Sequence, residues 1–226
     1  MVLIIHTKHR IIQSGIKNFL RYGYEKTSLT MIADEIGIKK PSLYYHFKNK
    51  EEIFNESVAY ILGSMNNRLH DANKASSSSK EALEAVLSGI IGFHSDLSVF
   101  IGEVYQKPVN IYPLLHEASY HFPELGVEIK NHYAELQEQL EQIIRRAQGE
   151  YVINQRLSPD SLALEIIAWL EGLILLSTFN PSLDLNTIRQ KIFSNLWEMI
   201  GSRESAPSEN TFRKKIAKTI SLGTKW

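Results

Sequence analysis

Residues 27–54 read TSLTMIADEIGIKKPSLYYHFKNKEEIF. Thr27 or Ser28 can cap a short helix whose inward positions are Ile32, Ala33 and Ile36, and Gly37 stops it. Lys40-Pro41-Ser42 opens a second short helix with proline in its first turn, where the missing N–H costs nothing. Leu43 and Phe47, four apart, are its core contacts. That leaves Lys40, Ser42, Tyr44, Tyr45 and His46 on or beside the opposite face, a density of hydrogen-bonding and aromatic groups that a packed helix does not need. Two short helices joined by a tight turn, the second opening on lysines, fit a helix-turn-helix whose second helix enters the DNA major groove. Lysine reaches guanine acceptors or phosphate; a tyrosine ring meets a thymine methyl and its hydroxyl a phosphate. Lys48 and Lys50, at the start of the next helix, are placed to clamp the flanking phosphate together with backbone N–H groups. For Tyr44 or Tyr45 alone, packing between helices is the plainer reading; the joint arrangement favours a nucleic-acid surface.

Outward from this stretch the periodicities are helical. Ile11, Ile12, Gly15, Ile16, Phe19 and Leu20 make one apolar face over about Thr7 to Tyr22, ended by Gly23. A longer helix from Lys50 to about Asn73 carries Phe54, Val58, Ile61, Leu62, Met65 and Leu69, and the serine run 76–79 reads as a loop. Further helical patterns lie at about 80–97, 98–107, 110–120, 125–148, 159–179 and 185–201, with prolines at or near their boundaries. Tyr151-Val152-Ile153 is the most strand-like stretch and is too short to found a sheet. The fold class expected is all-α: a three-helix DNA-binding head over 1–49, a helical ligand-binding and dimerisation domain over 50–202 that begins with the connecting helix, and a basic tail over 203–226. In the tail Phe212, Ile216 and Ile220 suit an additional helix.

Composition agrees. The 226 residues are 43% hydrophobic and 22% charged, as in an ordinary globular protein. The formal net charge is zero, but it divides into +3 over residues 1–60, −7 over 61–202 and +4 over 203–226, a pattern that suits a polyanion-binding head on an acidic body. Cysteine is absent, which removes disulfides, thiolate metal sites and cysteine nucleophiles. The start, MVLIIHTKHR, runs from apolar to basic, the reverse of a secretory signal. The apolar stretch Ile166–Phe179 is interrupted by Glu171 and is short for a bilayer, so a cytoplasmic protein with no membrane partner is expected.

The stretch 27–54 closely resembles the DNA-binding signature of the TetR family of bacterial transcriptional regulators. Thr30, Ile32-Ala33, Gly37-Ile38, Leu43-Tyr44, His46-Phe47, Lys50 and Phe54 carry the likeness. The resemblance implies a homodimer on a palindromic operator in double-stranded DNA, most often a repressor released by a small-molecule effector. It also implies backbone contact by Tyr44, base or thymine-methyl contact by Tyr45, phosphate contact by His46 and Lys50, and further contacts by Thr27, Thr30 and Lys40. One departure is Lys39, where a capping serine or threonine is usual. Either Ser42 or water compensates there, or the helix starts a residue away.

In the body, Ile129, Tyr133, Leu136, Leu140, Ile143 and Ala147 form a seam at alternating four and three spacing, and Leu162–Leu176 is apolar nearly all round. Both suit a monomer core; the resemblance favours a four-helix dimer interface built from them. Aromatic side chains crowd 93–133, and the pocket expected there is lined by Phe93, His94, Glu103, Tyr105, Tyr112 and His116, with Trp169 and Glu171 from the apolar helix, for a hydrophobic or aromatic effector. Glu171, if buried, needs a partner. No cofactor and no resident metal are expected. The alternatives are a metal-responsive regulator of the same fold and, further off, a helical enzyme. His116 and His121 are five apart, off the four spacing of a helical zinc pair, and no Ser-His-Asp or glycine-rich phosphate motif is present.

Overall fold

The computed structural model describes residues 2–74, 76–101, 109–180 and 182–201. Among them the chain is helical almost throughout. The first helix, α1 (Val2–Lys26), turns at Gly23, whose φ of 78° and ψ of 170° are non-helical and open to glycine alone without strain. Its inner face, Ile11, Ile12, Ile16 and Phe19, packs on α4 (Lys50–Lys74), and Gly15 lets the two axes approach closely. A β-carbon at Gly15 would lie 2.8 Å from Ile53 Cγ2. Between them stand α2 (Leu29–Glu35) and α3 (Lys40–Tyr44), with Ile32, Ala33, Leu43 and Phe47 sealed beneath. Ile53, Phe54 and Val58 of α4 close the same core, so the connecting helix is also a wall of the head.

The body begins with α5 (Ser79–Phe100). The serine run that reads as a loop is a helix cap: Ser78 Oγ accepts the Glu81 N–H, and the Glu81 carboxylate accepts the Ser77 N–H at 3.0 Å. Then follow α6 (Tyr112–His121), α7 (Pro123–Gly149), α8 (Pro159–Phe179) and α9 (Leu185–Ile200). Each of α6, α7 and α8 opens on a proline in its first turn. The strand-like Tyr151–Ile153 stretch makes a single antiparallel bridge, Ile153 to Gly201, with Tyr151 at φ 56° in the turn before it. Residues 98–100, expected to open a separate helix at 98–107, continue α5 instead; residues 102–108, and the tail at 203–226, lie outside the described residues.

Two readings of the body change in three dimensions. The α7 seam is not free: Ile129, Leu136, Leu140, Ile143 and Ala147 are buried within one protomer, against α8, α5, α4 and α6. The rest of α7 carries glutamates, lysine and arginines toward solvent, a surface costly to dehydrate. The α8 helix is apolar all round but covered on one face only. Leu162, Ala163, Ile166, Leu170 and Ile174 face the core, while Leu164, Ala168, Leu175, Leu176 and Phe179 face outward. By length and composition α8 could also cross a membrane, with a mean hydropathy of 1.8. Its inner face is instead part of a core that also takes in side chains of α4, α5, α7 and α9.

Candidate nucleic-acid interface

The helix-turn-helix is built from two local devices. Ser28, not Thr27, caps α2, its Oγ accepting the Met31 N–H at 3.2 Å. At the other end Gly37 sits at φ 70° while the Ile38 N–H reaches Ala33 O at 3.0 Å and the Gly37 N–H reaches Asp34 O at 3.1 Å. This is the paired 6→1 and 5→2 bonding of a Schellman turn. No atom lies within 4 Å of a β-carbon there, so the backbone angle alone asks for glycine. The turn aims α3 outward. Arg10 Nη2 donates to Ile36 O at 2.6 Å and ties the turn to α1.

Beneath α2 is a polar knot with no sequence motif to announce it. The Glu35 carboxylate accepts from Ser14 Oγ at 2.7 Å and Asn18 Nδ2 at 2.6 Å, and pairs with Lys17 Nζ at 2.7 Å. Burial alone would raise the Glu35 pKa, but the bonds from Lys17, Ser14 and Asn18 outweigh it and hold the carboxyl below its usual range. An ionised Glu35 thus fixes the angle between α1 and α2.

On α3 the side chains sort as their spacing predicts. Leu43 and Phe47 are at most 1% exposed, whereas Tyr44 is 50% and Tyr45 74% exposed. Thr30, Lys40, Ser42 and Lys48 are also exposed, and His46 is half-buried with its ring edge-on to Tyr45 at 5.2 Å. The helix does start at Lys40, with Lys39 as its N-cap and no side-chain bond. Neither Ser42 nor a shift of register repairs this: the Ser42 amide simply bonds Lys39 O at 2.8 Å, and Pro41 removes one of the amides a cap would serve.

Three expected contacts stand differently. Thr27 is 2% exposed and its hydroxyl donates to Gly23 O at 2.8 Å, because it closes the α1–α2 connector. Lys50 Nζ donates to Tyr24 O at 2.8 Å and lies 4.1 Å from the centre of the Tyr24 ring, so its charge fastens that connector instead of reaching outward. Two amides at the start of α4 are also taken, Glu52 N–H by Asn49 Oδ1 at 2.8 Å and Lys48 N–H by the Glu52 carboxylate at 2.6 Å. The outward surface is therefore Thr30, Lys40, Ser42, Tyr44, Tyr45, His46 and Lys48, joined by the exposed Lys39.

The head is also fastened to the body away from α4. Glu117 Oε2 on α6 accepts the Tyr24 N–H at 2.7 Å, one residue after the Gly23 turn, and the Tyr24 ring packs against Phe54 and Phe122. Gln13 Nε2 bonds Phe100 O at the end of α5.

The residues expected to line one effector pocket fall in several places. Phe93 is buried beside His132 in a small apolar cavity between α4, α5 and α7. His94 is buried, its Nδ1 on Val109 O at 3.0 Å, and burial lowers its pKa. Glu171 is partly buried where Tyr133 Oη donates to its Oε1 at 3.2 Å and Tyr112 Oη lies 3.5 Å from its carbonyl oxygen; burial pushes its carboxyl up to about 7. Tyr112 and His116 line an outer groove with Gly23, Tyr120 and Leu175. Trp169 is 37% exposed on the outer surface of α8, out of that set. Glu103 and Tyr105 lie outside the described residues. Among the described residues no group of three or more His, Cys, Asp or Glu side chains could hold a metal ion.

Comparison with known proteins agrees with this geometry. Residues 11–57 match the family model described as bacterial regulatory proteins, tetR family. The biofilm operon icaADBC HTH-type negative transcriptional regulator IcaR of Staphylococcus epidermidis is 35% identical over 134 residues, covering 57% of this chain and 62% of that protein. The IcaR of Staphylococcus aureus strain Newman is 27% identical over 173 residues, 76% of this chain and 85% of that one. The match thus spans about three-fifths of the length of the first of these relatives. Among solved structures, the ketosteroid transcriptional regulator KstR2 of Mycobacterium tuberculosis aligns with a TM-score of 0.68 at 17% identity, over 87% of this chain and 96% of that one. A TetR transcriptional regulator from Chloroflexus aurantiacus J-10-FL gives 0.68 at 19% identity, over 88% and 96%. These likenesses establish the fold, and the relatives named are regulators rather than enzymes. The helix-turn-helix geometry, the family match and the shared architecture agree: residues 11–57 carry the DNA-binding module described for the tetR family of bacterial regulatory proteins, on a chain with the fold of such regulators.

Proposed function

We propose that this chain is a cytoplasmic DNA-binding transcriptional repressor that reads a palindromic operator as a homodimer and is released by a small, largely hydrophobic effector. The observation that carries the reading is the sorting on α3, where Leu43 and Phe47 are sealed and Tyr44 and Tyr45 stand in solvent beside Lys40 and Lys48. Two exposed tyrosines are poorly explained by stability and well explained by a groove that offers thymine methyls and phosphates. IcaR of Staphylococcus epidermidis, named a negative transcriptional regulator, supports repression over activation.

The head, residues 1–49, supplies the contacts: Tyr45 and Lys40 toward bases, and Thr30, Ser42, Tyr44, His46 and Lys48 toward the backbone. The outward face of α8 supports a homodimer. It carries Leu164, Leu175, Leu176 and Phe179, with Ala168 and Gly172 small enough for close helix approach, and Asp160 and Glu165 as its exposed acidic residues. A two-fold pair would set two α3 helices about one DNA turn apart. Residues 50–202 then hold the effector and transmit it through α4 and the Glu117–Tyr24 bond to the head. An effector favouring wrongly spaced heads lowers operator affinity, and DNA lowers effector affinity by the same factor.

The test is selection of operators from random duplex DNA by the purified protein, followed by Tyr45→Ala. The expected result is a palindromic consensus and, in the variant, at least about a tenfold loss of affinity with relaxed base preference. Unchanged affinity and preference would remove α3 from the interface.

A further inference from the structure

The body contains one buried polar atom set against an apolar void. His132 on α7 is 3% exposed, and its Nε2 has no hydrogen-bond partner among the described residues. Its other nitrogen, Nδ1, faces Asn66 Oδ1 on α4. The Asn66 amide is oriented by a second bond, Nδ2 to Glu135 Oε2 at 3.1 Å, which turns its oxygen toward the histidine. Nδ1 is then the protonated nitrogen, and Nε2 presents a lone pair. Burial lowers the His132 pKa, with Glu135 pulling weakly the other way, so the ring is neutral at neutral pH.

The void beside it is lined by Met65 and Leu69 of α4, Ile90 and Phe93 of α5, and Leu136 of α7. Its open volume is about 10 Å3, at the lower limit for a single water. One feature allows it to grow: Met65 is an unbranched thioether that repacks at little cost. An apolar cavity of about 150 Å3 suffices for a benzene ring.

We propose that His132 Nε2 is the polar anchor of an effector subsite between α4, α5 and α7, taking a small, neutral, largely apolar molecule with one hydrogen-bond donor, a phenol or alcohol. This rests on the effector-responsive reading above and names the chemical class it takes. A donor hydroxyl satisfies the stranded lone pair, which an apolar ligand cannot do, and a carboxylate would bring a charge against that lone pair and the carboxylate of Glu135. The wedge would press on Met65 and Leu69, both on the helix that enters the core of the head.

Phenol, anisole and benzoate separate these cases by calorimetric titration of the full chain. Phenol is expected to bind at least about tenfold more tightly than anisole, the same ring without the donor, and benzoate not at all. His132→Leu should fold at least as stably and lose the phenol preference; His132→Gln, which keeps an acceptor, should restore part of it. Operator binding of the same preparations is measured by gel shift with and without phenol, and phenol is expected to weaken it at least about fivefold. Equal affinity for phenol and anisole overturns the proposal, as does an undiminished preference in His132→Leu, or no phenol binding at millimolar concentration, which would leave the void to a single water. Phenol that binds but leaves operator affinity unchanged overturns the effector role. Absence of operator binding without phenol would count against the DNA-binding reading instead.

Discussion

Replacing Glu171 by glutamine should make the protein more stable, by an amount that grows as pH rises from about 4.5 to about 7 and is constant above that. The carboxyl sits on α8 with the Tyr133 hydroxyl as its side-chain partner, and burial raises its pKa from 4.5 to about 7. A carboxyl whose folded pKa is raised contributes its full stability below the unfolded value, loses it between the two values, and has none left above the folded one. That upward displacement corresponds to about 3 kcal/mol, each pH unit being about 1.4 kcal/mol. Glutamine has the same shape, keeps an oxygen for the Tyr133 hydroxyl and cannot ionise. Urea unfolding of both proteins at pH 4, 7 and 8.5, at one protein concentration because a dimer makes stability concentration-dependent, should show near equality at pH 4. Most of the lead should be present by pH 7, and at pH 8.5 the variant should lead by about 3 kcal/mol. His94 and His132, whose pKa values burial lowers, weaken the fold in the other direction as pH falls below 6.5, but equally in both proteins, so the difference isolates Glu171. A difference that did not vary with pH would mean that the carboxyl is not desolvated.

Other substitutions probe separate contacts. Gly15→Ala forces a β-carbon to 2.8 Å from Ile53 Cγ2 and 3.1 Å from Ser57 Oγ, so thermal unfolding should show a loss of about 1–3 kcal/mol despite alanine's better helix propensity. Leu164→Glu, on the solvent face of α8, should barely change the stability of a protomer but reduce the sedimentation mass from twice the 25.9 kDa of one chain to that of one chain. Retention of the larger mass would move the interface off α8. Glu117→Ala removes the acceptor of the Tyr24 amide and should cost about 1 kcal/mol in chemical unfolding, since it strands a partly buried donor; Glu117→Gln should recover part of it.

The helix-turn-helix was legible because its determinants are local. The positive φ at Gly37, the Ser28 cap, the proline that opens α3 and the four-residue spacing of Leu43 and Phe47 are all set by neighbours within one or two turns. Its contact list was less legible for the opposite reason. Thr27 and Lys50 sit at plausible positions, yet the hydroxyl of one and the ammonium of the other are spent on Gly23 and Tyr24, and nothing near Lys50 in sequence says that Tyr24 will lie beneath it. The Glu35 knot and the Glu117–Tyr24 bond join residues far apart in the chain and were equally silent.

The same division runs through the body. Periodicity by itself determined that the protein is all-helical, where its glycines and prolines break those helices, and which stripes are apolar. Only the tertiary structure decided what each stripe meets. The α7 seam looks like an association surface and is consumed within the protomer, whereas α8 has more apolar surface than one core can cover and keeps half of it outward. Among the described residues, the aromatic run from 93 to 133 borders an apolar void, the partly buried Glu171 carboxyl and an outer groove in place of one pocket. The physical reason is one of range: a backbone angle or a cap is settled by bonds a few residues apart, while burial, pKa and exposure depend on which distant helix closes over a side chain.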